Sequence, residues 1–265
     1  MKKQWERALV TGASEGIGEA FARELAARGT DLVLVARRRE RLESLAAELG
    51  SKHESEVEVI AADLTDQASA SDVEARLESD ERPIDLLVNN AGGASQHRPF
   101  LDLDRGLLAH DAYLNALALL RLTHAAAQAM ARRGGGNVLN VSAGIAFYPL
   151  PGAASYGASK AFVNSLSEAL DYELREQGVH VTAVCPGFTR TRSQRRLGMN
   201  VDWVPDALWT EPGEVAAASL RAAARGRPVS SLTKIGALQA FLGRHLPHRL
   251  WLPRVARFQR RLVRP

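Results

Sequence analysis

The sequence predicts an α/β protein, a single domain built on a parallel sheet wound by helices on both faces. Three observations predict it. Short apolar strand patterns alternate with longer helical ones through most of the chain. A glycine-rich turn joins the first strand to the first helix. No interdomain linker or further internal repeat interrupts the alternation. The 265 residues suffice for a substantial core, and the 46% apolar and 24% charged fractions are those of an ordinary globular chain.

Arg7-Ala8-Leu9-Val10 reads as a short buried strand. Thr11-Gly12-Ala13-Ser14-Glu15-Gly16-Ile17-Gly18 follows, then a helical pattern through Phe21, Leu25 and Ala26 to Gly29. Glycines at such a turn let main chain approach a pyrophosphate at the positive end of a helix. Asp31–Ala36 is the second strand, and Arg37-Arg38-Arg39 follows it. In dinucleotide folds a carboxylate near this strand end holds the adenosine ribose diol, whereas an arginine accommodates a 2′-phosphate. Here Arg37 follows Ala36 with no carboxylate, which favours NADP(H) over NAD(H). Arg38 and Arg39 read as the solvated start of a helix. Glu15 counts against a phosphate if it lies close by.

A helix over about 40–49 leads to the strand Val57–Ala61. Asp63-Leu64 stands at that strand's carboxyl end, where open α/β sheets bind ligands. A helix over 67–79 precedes the strand Ile84–Val88, which ends in Asn89-Asn90-Ala91-Gly92-Gly93. Asn side chains bond local main chain and fix such turns. Residues 107–133 form one long helical pattern, apolar on more than one face, which suggests contact with the sheet and a second subunit. Asn115 is a polar residue inside it. Asn137–Ser142 is the fifth strand, 147–152 a loop, and a helix opens at Tyr156 and runs to about Gln177. Val179–Val184 is the sixth strand, ending at Cys185-Pro186-Gly187.

Tyr156 and Lys160 stand four apart and share a helix face. A free phenol titrates near ~10. A neighbouring cation favours the phenolate and lowers that value, which suits the pair to proton exchange with a carbonyl or alcohol.

Taken in order, TGASEGIG, Asp63-Leu64, NNAG, Asn115, the NVS strand, YGASK and PG resemble the short-chain dehydrogenase/reductase family in its YxxxK form, over about Arg7 to Thr191. The resemblance implies a Rossmann-type sheet of about seven strands and NAD(P)-dependent hydride transfer to or from a small-molecule carbonyl or alcohol. It implies that Tyr156 is the general acid-base, that Lys160 binds the nicotinamide ribose and lowers the Tyr pKa, and that Asn115 supports a water relay. Cofactor contacts are implied at Gly12, Ser14, Ile17, Arg37, Asp63, Leu64, Asn90, Gly92, Pro186, Gly187 and Thr189; Glu15, Ala91, Ser142, Tyr156 and Lys160 complete that set. A homodimer or homotetramer is implied through the helices of Asn115 and Tyr156.

One position departs from the family. Its catalytic Ser stands thirteen residues before the Tyr, where this chain has Ala143. Ser142 is one residue off, and in a strand a one-residue shift reverses the side chain's face. Ser142 is expected to pack beside the nicotinamide. Ala143 keeps a second reading open: a dinucleotide-binding protein of little or no turnover, serving as sensor or assembly partner.

The remaining chain is variable territory. Residues 190–212 are expected to form an apolar substrate lid through Trp203, Val204, Leu208 and Trp209, for a bulky or apolar substrate. A helix over 214–225 and a short strand near Val229 follow. Net charge is +4, unevenly spread: after Glu214 there are eleven Lys and Arg and no acid, so residues 1–214 carry −7. Ile235, Leu238, Leu242 and Leu246 recur at helical spacing, Pro247 interrupts, and Trp251, Val255, Phe258 and Leu262 resume. This basic amphipathic extension, 234–265, fits either an anionic membrane surface or packing on the body or a second subunit. It contains no recognised nucleic-acid module, so no nucleic-acid partner is expected. His245-x-x-His248 is a poor metal site, because Pro247 breaks the helix and no carboxylate or thiol is near; no metal is expected. No apolar signal stretch or membrane-spanning run is read, and Cys185 is the lone cysteine, so a cytoplasmic location is expected.

Overall fold

Runs of Leu, Val and Ala bounded by glycine or charge fold as short strands buried on both faces, as parallel strands covered by crossover helices must be. The computed structural model describes residues 4–96, 98–192 and 201–247, with 249, 252, 253, 256 and 257. In its first half β1 (Arg7–Thr11), β2 (Asp31–Ala36), β3 (Val57–Ala61) and β4 (Leu86–Asn89) alternate with α1 (Gly16–Ala26), α2 (Arg39–His53) and α3 (Gln67–Glu78). The second half contains α4 (Arg105–Ala112), α5 (Leu119–Arg132), β5 (Gly136–Val141), a 3-10 turn at Gly144–Phe147, α6 (Ala154–Leu174) and β6 (Val179–Cys185). A two-residue pair, β7 (Phe188–Thr189) and β8 (Trp209–Thr210), precedes α7 (Pro212–Ala223), β9 (Val229–Ser231) and α8 (Lys234–His245).

The main sheet has seven parallel strands in the order β3-β2-β1-β4-β5-β6-β9. The order reverses beside β1, so the β1–β4 crevice is the topological switch point. Period-two alternation splits the core. Ala8 and Val10 pack with Phe21, Leu25, Leu42 and Leu220 of α1, α2 and α7, whereas Leu9 and Leu87 pack with Val73, Leu122 and Met130 of α3 and α5. Each large side chain buried here contributes roughly 1.5–3 kcal/mol.

Three expectations need correction. The fourth strand starts at Leu86, because the Asp85 carboxylate accepts from the Glu6 and Arg7 amides at 2.8 and 3.0 Å and closes the strand's foot. The sixth helix begins at Ala154, two residues before Tyr156. The stretch 107–133 is not one regular helix: Tyr113–Ala118, between α4 and α5, is a π-helical turn. The amide of Asn115 donates to the carbonyls of Asp111, at 2.7 Å, and Gly93, at 2.6 Å. It thereby competes for the carbonyl that an α-helical ladder would use. Leu117, within that turn, is 49% exposed rather than packed on the sheet.

Candidate functional site

At the switch point the main chain of two turns is held by the Asn90 amide and the Thr11 hydroxyl. Gly12 has φ +65°, and a Cβ there would stand 2.8 Å from Asn90 Nδ2. A Cβ on Gly18 would collide with the carbonyl of Gly12 and reach 2.5 Å from the same amide. Asn90 Nδ2 donates to Thr11 O at 3.0 Å, while Thr11 Oγ1 accepts from the amides of Asn90 and Ala91 at 2.9 and 3.0 Å. The turns after β1 and β4 are therefore one unit, with a floor of backbone at the N-terminus of α1.

Above that floor a cavity of about 1650 Å³ crosses the carboxyl edge of the sheet. Gly12, Ser14, Glu15, Ile17, Arg37, Asp63, Leu64, Asn90, Ala91, Gly92, Ser142, Tyr156, Lys160, Pro186, Gly187 and Thr189 all line it. Asn115 does not. It sits behind Gly92 and Gly93: its Oδ1 accepts from Gly93 N at 2.9 Å, and a Cβ on Gly92 would stand 2.6 Å from that oxygen and 3.6 Å from Lys160 Nζ.

One end of the cavity is charged. Arg37 lies 3.8 Å from Asp63, whose carboxylate also accepts from the Thr65 amide and hydroxyl and is held below its ordinary pKa; burial works against that shift, and the Thr65 bonds with the nearby Arg37 outweigh it. Arg38 stands at the exposed start of α2, as expected, and is also paired there. Its guanidinium donates to Ser14 Oγ at 3.1 Å and pairs with Glu15 at 2.9 Å, and Arg41 approaches the same carboxylate at 3.5 Å. Arg39 does face solvent, paired with Glu43. Sequence reasoning missed Arg41. Its signal was the three-residue step from Arg38, which puts both arginines on one face of the first turn of α2.

At the other end are Tyr156 and Lys160. Lys160 Nζ donates to Val141 O at 2.9 Å and lies 5.6 Å from the centre of the Tyr156 ring. Burial pushes the Tyr156 phenol up to about 12 and the Lys160 ammonium down to about 8. The expectation that Lys160 lowers the phenol is thus reversed among the protein's own groups: the ammonium stands over the ring, and desolvation of the phenolate prevails. Ser142 is committed elsewhere, its hydroxyl donating to Lys160 O at 3.0 Å, while the methyl of Ala143 occupies the cavity wall.

Beyond Tyr156 the wall comes from the segment after β6. Phe188 and Trp209 pack at 5.4 Å between ring centres, and Arg190 lies over the Trp209 ring and pairs with Asp206 at 2.6 Å. Val204 is buried, and Val201, Val204 and Trp209 line the cavity. Residues 193–200 of the expected lid lie outside the described residues, as do Trp251, Val255, Phe258, Leu262 and His248 of the tail. Among the described residues no group of three or more His, Cys, Asp or Glu could hold a metal ion, and no helix is long and apolar enough to cross a membrane.

The short chain dehydrogenase family model matches residues 6–201. A very-long-chain 3-oxoacyl-CoA reductase of Bos taurus is 34% identical over 191 residues, 71% of this chain and 60% of that protein; the chain thus spans about 60% of the length of such curated relatives. A short-chain dehydrogenase from Sphingobium yanoikuyae, solved in complex with NADPH, superposes with a TM-score of 0.82 at 39% identity, covering 89% of this chain and 92% of that one. The bulky-bulky ketone specific alcohol dehydrogenase from Comamonas testosteroni gives 0.77 at 36% identity, covering 85% of each. With a family match over most of its length, laid on a seven-stranded doubly wound sheet, the chain belongs to the short-chain dehydrogenase/reductase family of oxidoreductases.

Proposed function

We propose that this protein is an NADP(H)-dependent oxidoreductase that moves hydride between nicotinamide and a bulky, apolar ketone or secondary alcohol. One observation carries the reading: a single cavity joins the Arg37–Arg38–Arg41 mouth and the glycine turn to Tyr156 and Lys160. The residues fit the dinucleotide. Bare main chain at Gly12 and the N-terminus of α1 suit a pyrophosphate, and the Arg37, Arg38 and Arg41 guanidiniums suit a 2′-phosphate, against which the Glu15 carboxylate, 2.9 Å from Arg38 and 3.5 Å from Arg41, counts. The bound nicotinamide supplies the hydride in the direction of reduction. Tyr156, kept neutral by burial, donates a proton to the substrate oxygen. Lys160, cationic below about 8, holds the nicotinamide ribose. Asn115 positions Gly92 and Gly93 beside Lys160 and supports the proton path.

Residues 190–212 serve as the substrate lid, with Val204 and Trp209 as its apolar lining. The names of the Comamonas and Bos taurus relatives, a bulky ketone and a very-long-chain acyl substrate, agree with that class. Exposed Leu117 and Phe162, on the helices of Asn115 and Tyr156, support a homodimer or homotetramer. A second reading, a nucleotide binder of little turnover, is favoured by Ala143 together with the Ser142 hydroxyl bonded to Lys160 O.

NADPH absorbance with a panel of apolar ketones, aldehydes and diketones tests both readings. The chain is expected to turn over bulky ketones. Ala143→Ser is expected to raise the rate by about 10²–10³, the typical worth of one donor to a reacting oxygen. Tight NADPH binding with no turnover by either form would favour the binder.

A further inference from the structure

Helix α8 is inverted. An amphipathic helix on a soluble body turns its large apolar residues inward. In α8 the buried residue is Gly243, so close to the body that a Cβ would stand 2.6 Å from Phe147 O. Arg244 fastens the helix beside it, 5.5 Å over the Phe147 ring and 3.3 Å from Glu168. At about 100° per residue, Leu238 and Phe241 fall on the side opposite Gly243. They are 57% and 59% exposed, and Ile235 joins them at 47%. The outward row is therefore left about half exposed, outside the buried core. Lys234 and His245 share that side, and Phe241 stacks on His245 at 4.6 Å between ring centres.

Charge selects what covers the face. All eleven charged residues after Glu214 are basic. Pairing this face with the same face of a second copy would oppose segments whose described exposed cations, Lys234, Arg249 and Arg257, are of like sign. We propose that α8, with Arg249 and Arg257 beyond it, docks on an anionic lipid surface. Leu238, Phe241 and Ile235 enter the headgroup boundary and the arginines engage lipid phosphates. The helix abuts the 3-10 turn that begins one residue after Ala143, so docking sets the substrate end of the cavity near the lipid.

Vesicle flotation of the full chain tests this, using phosphatidylcholine alone or with about 30% phosphatidylglycerol. The full chain should float with the anionic vesicles, at least about tenfold better than with neutral ones, and release at about 0.5 M salt. The double variant Leu238→Glu/Phe241→Glu should lose flotation about tenfold while keeping its melting temperature and its NADPH dissociation constant. A full chain that stays with neither vesicle, or a double variant that floats as well as the parent, overturns the proposal. So does a double variant that floats normally but loses its oligomeric state by light scattering, since the face would then be a subunit contact.

Discussion

Around Gly12 the cavity is made of main chain from two strand ends, held by an Asn amide and a Thr hydroxyl within three residues of each turn. Around Trp209 it is made of side chains, reached after a twenty-residue excursion from Phe188 and closed by an arginine over an indole. The first end has almost no freedom to vary, since glycines there meet backbone atoms. The second can change its lining without disturbing the sheet. A fixed nucleotide end and an adjustable substrate end are what one fold needs to serve many carbonyl compounds.

The comparison breaks first at the chemistry between the two ends. Tyr156→Phe should lower turnover by ~10²–10⁴ while leaving NADPH affinity intact, as followed by absorbance and calorimetry; unchanged turnover would move the chemistry elsewhere. At the nucleotide end, Arg38→Ala should weaken NADPH by about 1.5–3 kcal/mol, tenfold or more, and leave NADH almost unmoved. Gly18→Ala should cost about 1–3 kcal/mol in urea unfolding, because its methyl meets the carbonyl of Gly12. Smaller still is a pH effect. Lys160 is cationic below about 8 and neutral above it, so nucleotide affinity should fall as pH rises through about 8. Lys160→Arg should flatten that profile, read by titration calorimetry across the range.

The same contrast explains what could be read from the sequence. Strand and helix order, the Gly12 turn and the Asn89–Gly93 turn follow from local pattern, so all sixteen expected nucleotide-site residues meet in one cavity. What failed was set by distant atoms. The partners of exposed Arg38 were not legible, because nothing near it in sequence announces Ser14 and Glu15, which lie more than twenty residues away. The direction of the Tyr156 shift depends on burial, which four-residue spacing does not encode. The outward face of α8 was legible as amphipathic, but which side met the body was decided by the fit of Gly243 against Phe147.

The π-helical turn at Tyr113–Ala118 has a consequence for phase. A π turn amounts to one extra residue in an α-helix, so α4 is rotated by about 100° relative to α5. That rotation lets α5 lay Leu122, Ala126 and Met130 on the sheet while Asp111, on the other side of the turn, grips Ser95 through its amide and hydroxyl. Deleting one residue there would preserve composition and length almost unchanged. It would swing α4 like a key turned in the wrong lock, carrying Asp111 off Ser95 and loosening the strap that leads away from Gly93.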